Sequence, residues 1–173
     1  MGRPRFPLVR ATLVVLVALL LQLSVVVDLR IAGAMGDLLL AVVVAAALTG
    51  GPDRGAAYGF VCGVLYDLVL DTPFGLTALC YTVVGALVGW VGVLVGRTSG
   101  WWPVLAAAVA GGLHAVLYTS AGNLVGVAYP FGDVPAIALA LAACAAVVVL
   151  PLMRVLWWAH GHPEPDRLEV SWR

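Results

Sequence analysis

Long runs of Ala, Val, Leu and Gly, interrupted only by isolated charges and turn residues, divide this chain into six apolar segments. A charge in hydrocarbon costs several kcal/mol and each membrane crossing needs about 20 apolar residues, so the interruptions mark segment ends. The segments predicted are residues 8–27, 32–49, 55–70, 74–95, 101–120 and 134–158. The second must take in Asp37, because only a short apolar stretch remains beyond it, and the third must likewise include Asp67. Pro151 is expected to kink the last helix near its inner end. This pattern predicts an all-α integral membrane protein, a bundle of six transmembrane helices. Its polytopic membrane domain covers residues 1–160, followed by a polar, proline-containing tail over 161–173 that is expected to be disordered and cytoplasmic.

Composition removes the soluble alternative. The 173 residues are 63% hydrophobic and 10% charged, whereas soluble domains carry roughly a quarter charged residues. All nine basic residues are arginines and nine acids balance them, so nothing points to nucleic acid. Their distribution sets orientation, since positive charge stays on the cytoplasmic side of short loops. An inside N-terminus leaves only Arg30 outside and puts Arg3, Arg5, Arg10, Arg54, Arg97, Arg154, Arg167 and Arg173 inside. Trp90, Trp101, Trp102, Trp157 and Trp158 then form a cytoplasmic aromatic belt, and both termini are cytoplasmic. The N-terminus imitates a signal peptide, but its apolar run is too long, and Asp28 and Arg30 intervene before the small residues that follow. Cys62, Cys80 and Cys144 lie in apolar stretches without metal-site spacing and read as packing residues.

Few residues could carry chemistry. Gly55, Gly59 and Gly63 recur every fourth position and line one helix face, which lets another backbone approach closely, within the bundle or from a partner protein. Gly85, Gly89, Gly92 and Gly96 repeat the device in the next helix. Asp37 begins an inward-running helix and Asp67 ends an outward-running one, so both carboxylates are expected at similar depth near the outer surface. There they could be neighbours, wetted at the interface with Arg30 nearby. Two intramembrane aspartates also suggest an aspartyl protease, and Tyr66-Asp67 fits half of that signature. The other half needs a Gly-x-Gly-Asp that Ala34-Met35-Gly36-Asp37 does not supply. His114, with Tyr118 one turn later, reads as a hydrogen-bonded bundle residue. No nucleophile elbow, phosphate loop or ligand cluster occurs, so no enzyme, cofactor or metal is predicted.

The run Gly59-Phe60-Val61-Cys62-Gly63-Val64-Leu65-Tyr66-Asp67, followed by Pro73-Phe74-Gly75-Leu76-Thr77-Ala78-Leu79, resembles the signature of the MreD family of rod shape-determining proteins. The family pattern is roughly Gly-Phe-x-x-Gly-Leu-x-x-Asp, then Pro-x-Gly-x-x-Ala-Leu, and Val64 stands where leucine is usual. Asp37 with Leu38-Leu39-Leu40 matches the family's start of the second helix, with Gly36 where proline is frequent. The resemblance implies a noncatalytic membrane scaffold of the bacterial cell-elongation machinery. Such a scaffold binds MreC and works indirectly with MreB, RodA and its transpeptidase partner in the cytoplasmic membrane, maintaining rod shape and organising peptidoglycan synthesis. It also singles out Asp37, Gly59, Gly63, Asp67, Asp71, Pro73 and Gly75 as positions for partner binding or for the fold itself.

The alternative is the substrate-binding S component of an ECF vitamin transporter, whose six-helix architecture MreD proteins resemble. That reading requires a partly polar cavity toward the outer face, lined by His114, Tyr118, Asn123 and Asp67.

Overall fold

The computed structural model describes residues 7–26, 30–31, 34–69, 74–95, 101–127 and 131–160. Five α-helices account for most of them: α1 Pro7–Leu21, α2 Leu38–Asp67, α3 Leu76–Val95, α4 Trp102–Leu124 and α5 Val134–His160. α1 runs on into a π-helical turn, Gln22–Val26. A two-residue antiparallel ladder, β1 Arg30–Ile31 with β2 Ala34–Met35, precedes α2. Four of the helices, α2 to α5, are long and apolar enough to cross a membrane.

Segments two and three, expected as separate helices, follow one another without a linker as α2, divided at the non-helical Gly51. The second segment also starts at Leu38 rather than 32, since residues 34–35 belong to the ladder and Asp37 caps the helix. α4 extends one turn beyond its expected end, to Leu124, and α5 runs through Pro151 as far as His160, two residues beyond its expected end. Residues 161–173, Asp71 and Pro73 lie outside the described residues.

α2 is not straight. Gly51 has φ 81° and ψ −173°, a conformation that side-chain-bearing residues rarely adopt, and Pro52 follows it. A glycine that ends one helix and a proline that opens the next make an elbow without a linker. In a straight helix Leu38 and Tyr66 would be roughly 40 Å apart at 1.5 Å per residue. Here the single side chain of Gln22 bonds both the Leu38 amide, at 2.7 Å, and the Tyr66 hydroxyl, at 3.3 Å. The two arms of α2 are therefore antiparallel, and their far ends meet.

The second arm then packs on α3 through its glycines. A Cβ added to Gly55 would fall on the carbonyl of Gly85, one on Gly59 on the carbonyl of Tyr81, and one on Gly63 on Cα of Ala78. Gly89 of α3 meets Gly51 and Pro52 at the elbow in the same way. The glycine face is thus used inside the bundle, where close backbone approach increases the van der Waals contact that holds membrane helices together. α4 and α5 use one such contact, Gly111 against Ala142. The first arm becomes the central helix, with residues 39–47 wholly buried. That burial on every side explains a segment that is apolar all round.

Large apolar side chains cover the outside instead, among them Leu20, Val93, Val109, Leu139 and Val147, each more than half exposed. An apolar exterior of this extent suits lipid. The two ends of the bundle differ in charge. Arg10 at the start of α1 lies over the ring of Trp158, and Tyr58 bonds His160 at 3.2 Å, so α1 begins and α5 ends at the same end as the elbow and Arg54. Gln22, Asp37, Tyr66 and Asp67 occupy the opposite end.

Gly59→Leu should drive α3 from the second arm of α2 and lower stability by about 1–3 kcal/mol. Gly112→Ala, whose Cβ would meet open space, should leave stability unchanged or raise it slightly. Thermal unfolding of both variants in detergent checks the pair, and equal midpoints would remove the glycine contact as a determinant of the fold.

Candidate functional site

Gln22, Asp37, Asp67 and Thr77 bring buried polar groups together at the end of the bundle away from the elbow. Gln22, only 1% exposed, sits in the π turn that extends α1. Its carboxamide oxygen accepts the Leu38 amide, while its nitrogen donates to the Gly36 carbonyl at 3.1 Å and to the Tyr66 hydroxyl. One side chain thereby joins α1 to both ends of the α2 hairpin. In an apolar interior each of these bonds spares a polar group the cost of being left unpaired.

Asp37 is the N-cap of α2. Its Oδ1 accepts the Leu40 amide at 3.0 Å, as an N-cap carboxylate does, and its Oδ2 accepts the hydroxyl of Tyr81 from α3. The Tyr81 ring in turn packs on His114 with centroids 5.0 Å apart, and His114 packs on Tyr118 at 5.7 Å. This line of side chains ties α2 to α3 and α3 to α4. The expectation for His114 is corrected at one atom: its Nδ1 is buried with no hydrogen-bond partner among the described residues, and the ring is held by aromatic contact.

Asp67 does different work. Its Oδ2 accepts the amides of Gly75, at 3.0 Å, and Ala78, at 3.1 Å, and its Oδ1 accepts that of Thr77 at 3.2 Å. The last residue of α2 thus caps the first turn of α3, where free N–H groups and the helix dipole favour an anion. Gly75, with φ 95°, supplies the backbone that aims its amide at the carboxylate. Thr77 Oγ1, beside it, is buried with no partner among the described residues.

Asp37 and Asp67 therefore share one end of the bundle but bind separate donors, and both are buried rather than wet at an interface. The Arg30 side chain lies outside what is described. Gly59 and Gly63 belong to the α2–α3 contact below them. Sequence reasoning missed Gln22, Tyr66 as its partner, and Tyr81. The available signal for Gln22 was a lone carboxamide inside an otherwise apolar segment, and for Tyr81 a hydroxyl about one turn into a helix with a buried acid nearby. Among the described residues, one groove of 350 Å³ opens between α1 and α5 and another of 140 Å³ between α3 and α4, both lined by apolar residues and the indole of a tryptophan. Neither is lined by His114, Tyr118, Asn123 or Asp67, the residues a vitamin-binding cavity was expected to use.

Tyr81→Phe should leave one Asp37 oxygen buried without its donor and cost about 1–3 kcal/mol. Gln22→Leu removes three bonds at once and should loosen α1 from the bundle as well as lower the unfolding midpoint. Hydrogen exchange across α1 in detergent separates the two variants. Protection of α1 equal to the unsubstituted protein in Gln22→Leu would show that Gln22 does not hold it.

Searches of curated proteins and of solved structures found no match. The family model described as rod shape-determining protein MreD matches residues 3–157, nearly the whole chain, so this multi-helix, apolar-surfaced protein belongs to the MreD family of rod shape-determining proteins.

Proposed function

We propose that this chain is a noncatalytic scaffold of the cell-elongation machinery, held in the bacterial cytoplasmic membrane, where it binds MreC and helps to organise peptidoglycan synthesis. The observation that carries this reading is the family match over residues 3–157. The placement of the acids supports it: Asp37 and Asp67 accept hydrogen bonds from backbone amides and Tyr81 that serve packing and capping. General acid–base work would need a carboxyl free to exchange a proton with a substrate. MreB, RodA and its transpeptidase partner are the indirect partners.

In the proposed topology the chain crosses six times, through α1 with its π turn, the two arms of α2, α3, α4 and α5. Entry and exit of the chain at the Arg10 and His160 end support an even number of crossings. Arg10, Arg54 and Arg154 lie toward that end, which supports the cytoplasmic side for it.

Affinity purification from native membranes in mild detergent, with mass spectrometry of the copurifying proteins, tests the partner assignment. The expected result is MreC together with the elongation synthase. Recovery of a transmembrane coupling subunit with paired ATPases would instead make the chain a transporter's substrate-binding component.

A further inference from the structure

The 350 Å³ groove between α1 and α5 is left open by the packing of the bundle. Leu13, Val17 and Leu21 of α1 and Pro151, Leu152 and Val155 of α5 line it, and most of these side chains are 40% or more exposed. At its basic end stands Trp158, with the guanidinium of Arg10 4.7 Å from the ring centroid and Arg10 Nη1 donating to the Trp158 carbonyl at 3.4 Å. Arg154, exposed, projects one turn before Trp158 on α5. Among the described residues neither arginine has a carboxylate partner. A guanidinium carries five N–H donors, so Arg10 keeps most of its hydrogen-bonding capacity after the bond to Trp158.

We propose that this groove binds an anionic phospholipid of the surrounding bilayer, with an acyl chain lying along α1 and α5 and the phosphate on Arg10. A long apolar trough ending in a cation matches the two parts of such a lipid, and the stacked indole belongs at headgroup level. Arg10 presents a planar fork suited to phosphate oxygens. The lining also distinguishes this occupant from a transmembrane helix. Helix-to-helix contacts in membranes use small residues so that backbones can approach, as the α2–α3 contact does. Apart from Ala18, the groove is walled by Leu, Val, Pro and Trp158, which give a flexible chain many contacts but hold another backbone at a distance. Val14, Val15 and Ala18 pack one face of α1 into the bundle, Gln22 and Arg10 tie its two ends, and the lipid lies along the side that this packing leaves open.

The test titrates the purified full chain in nonionic detergent with phosphatidylglycerol and, separately, with phosphatidylcholine of the same acyl chains, counting retained lipids by native mass spectrometry. One phosphatidylglycerol should be retained, about fivefold more tightly than phosphatidylcholine, as expected for one arginine at a headgroup. That preference should vanish in Arg10→Gln, and retention of both lipids should fall in Val17→Trp, whose ring fills the groove. Equal retention of the two lipids by the unsubstituted protein overturns the proposal without reference to any variant. So does undiminished retention of phosphatidylglycerol by Val17→Trp. A photocrosslinking side chain at position 155, used in the host membrane, should attach to phospholipid, and attachment to a second polypeptide overturns the proposal and gives the groove to a transmembrane helix.

Discussion

The close approach of backbone to backbone between the second arm of α2 and α3 is the constraint on which the remaining architecture depends. Apolar side chains gain little by leaving lipid for a bundle interior, so the usual driving force for a core is absent in a membrane. Contact must then come from surfaces that fit. Gly55, Gly59 and Gly63 provide such a surface against Gly85, Tyr81 and Ala78, and Gly89 continues it to the elbow. Once these two helices lie together, the first arm of α2 has only one side on which to fold. It becomes the axis around which α1, α4 and α5 are arranged.

Polar bonds then fix what glycine contacts leave free, which is register. A helix that slides along its neighbour keeps much of its van der Waals contact but loses hydrogen bonds that lipid cannot replace. Gln22 and Asp37 lock α1, α2 and α3 at one level, Asp67 locks the turn from α2 into α3, and the bond between Tyr58 and His160 joins α2 to α5 at the other end. The acids most conspicuous in the sequence are thus spent on geometry. Their burial with backbone donors is what allows a carboxylate to sit among apolar helices.

Much of this was legible in the residues. The apolar runs located the helical segments, the fourfold glycine spacing marked the faces that pack, and the arginines picked out one end of the bundle before any contact was known. The elbow was not legible as such, because Gly50-Gly51-Pro52 reads as a loop between helices and nothing local shows that the turn needs no linker residues. Gln22 and Tyr81 escaped for a different reason. A polar group inside an apolar run announces that it has a partner without naming it, and the partner here lies 14 to 44 residues away. Asp67 was placed at the right end of its helix, but its function as the cap of the next helix depends on a turn whose path periodicity does not encode. His160 lies past the expected end of the last helix because polarity reads as a helix end, whereas a bond to Tyr58 and one to the Leu156 carbonyl hold it in α5.

The elbow at Gly51 also sets a length. Its arms run roughly 20 and 24 Å at about 1.5 Å per residue, while α5, at 27 residues, runs roughly 40 Å. A bilayer with a hydrocarbon core of about 30 Å cannot match both. Hydrophobic mismatch of this kind is relieved by lipid that thins beside the short elements and by tilt of the long ones. The first arm is enclosed by the bundle, so its short length never meets lipid; the second arm, with Phe60 and Val61 exposed, and α5 are the elements that ask the bilayer for different thicknesses, and tilt of α5 is what reconciles them.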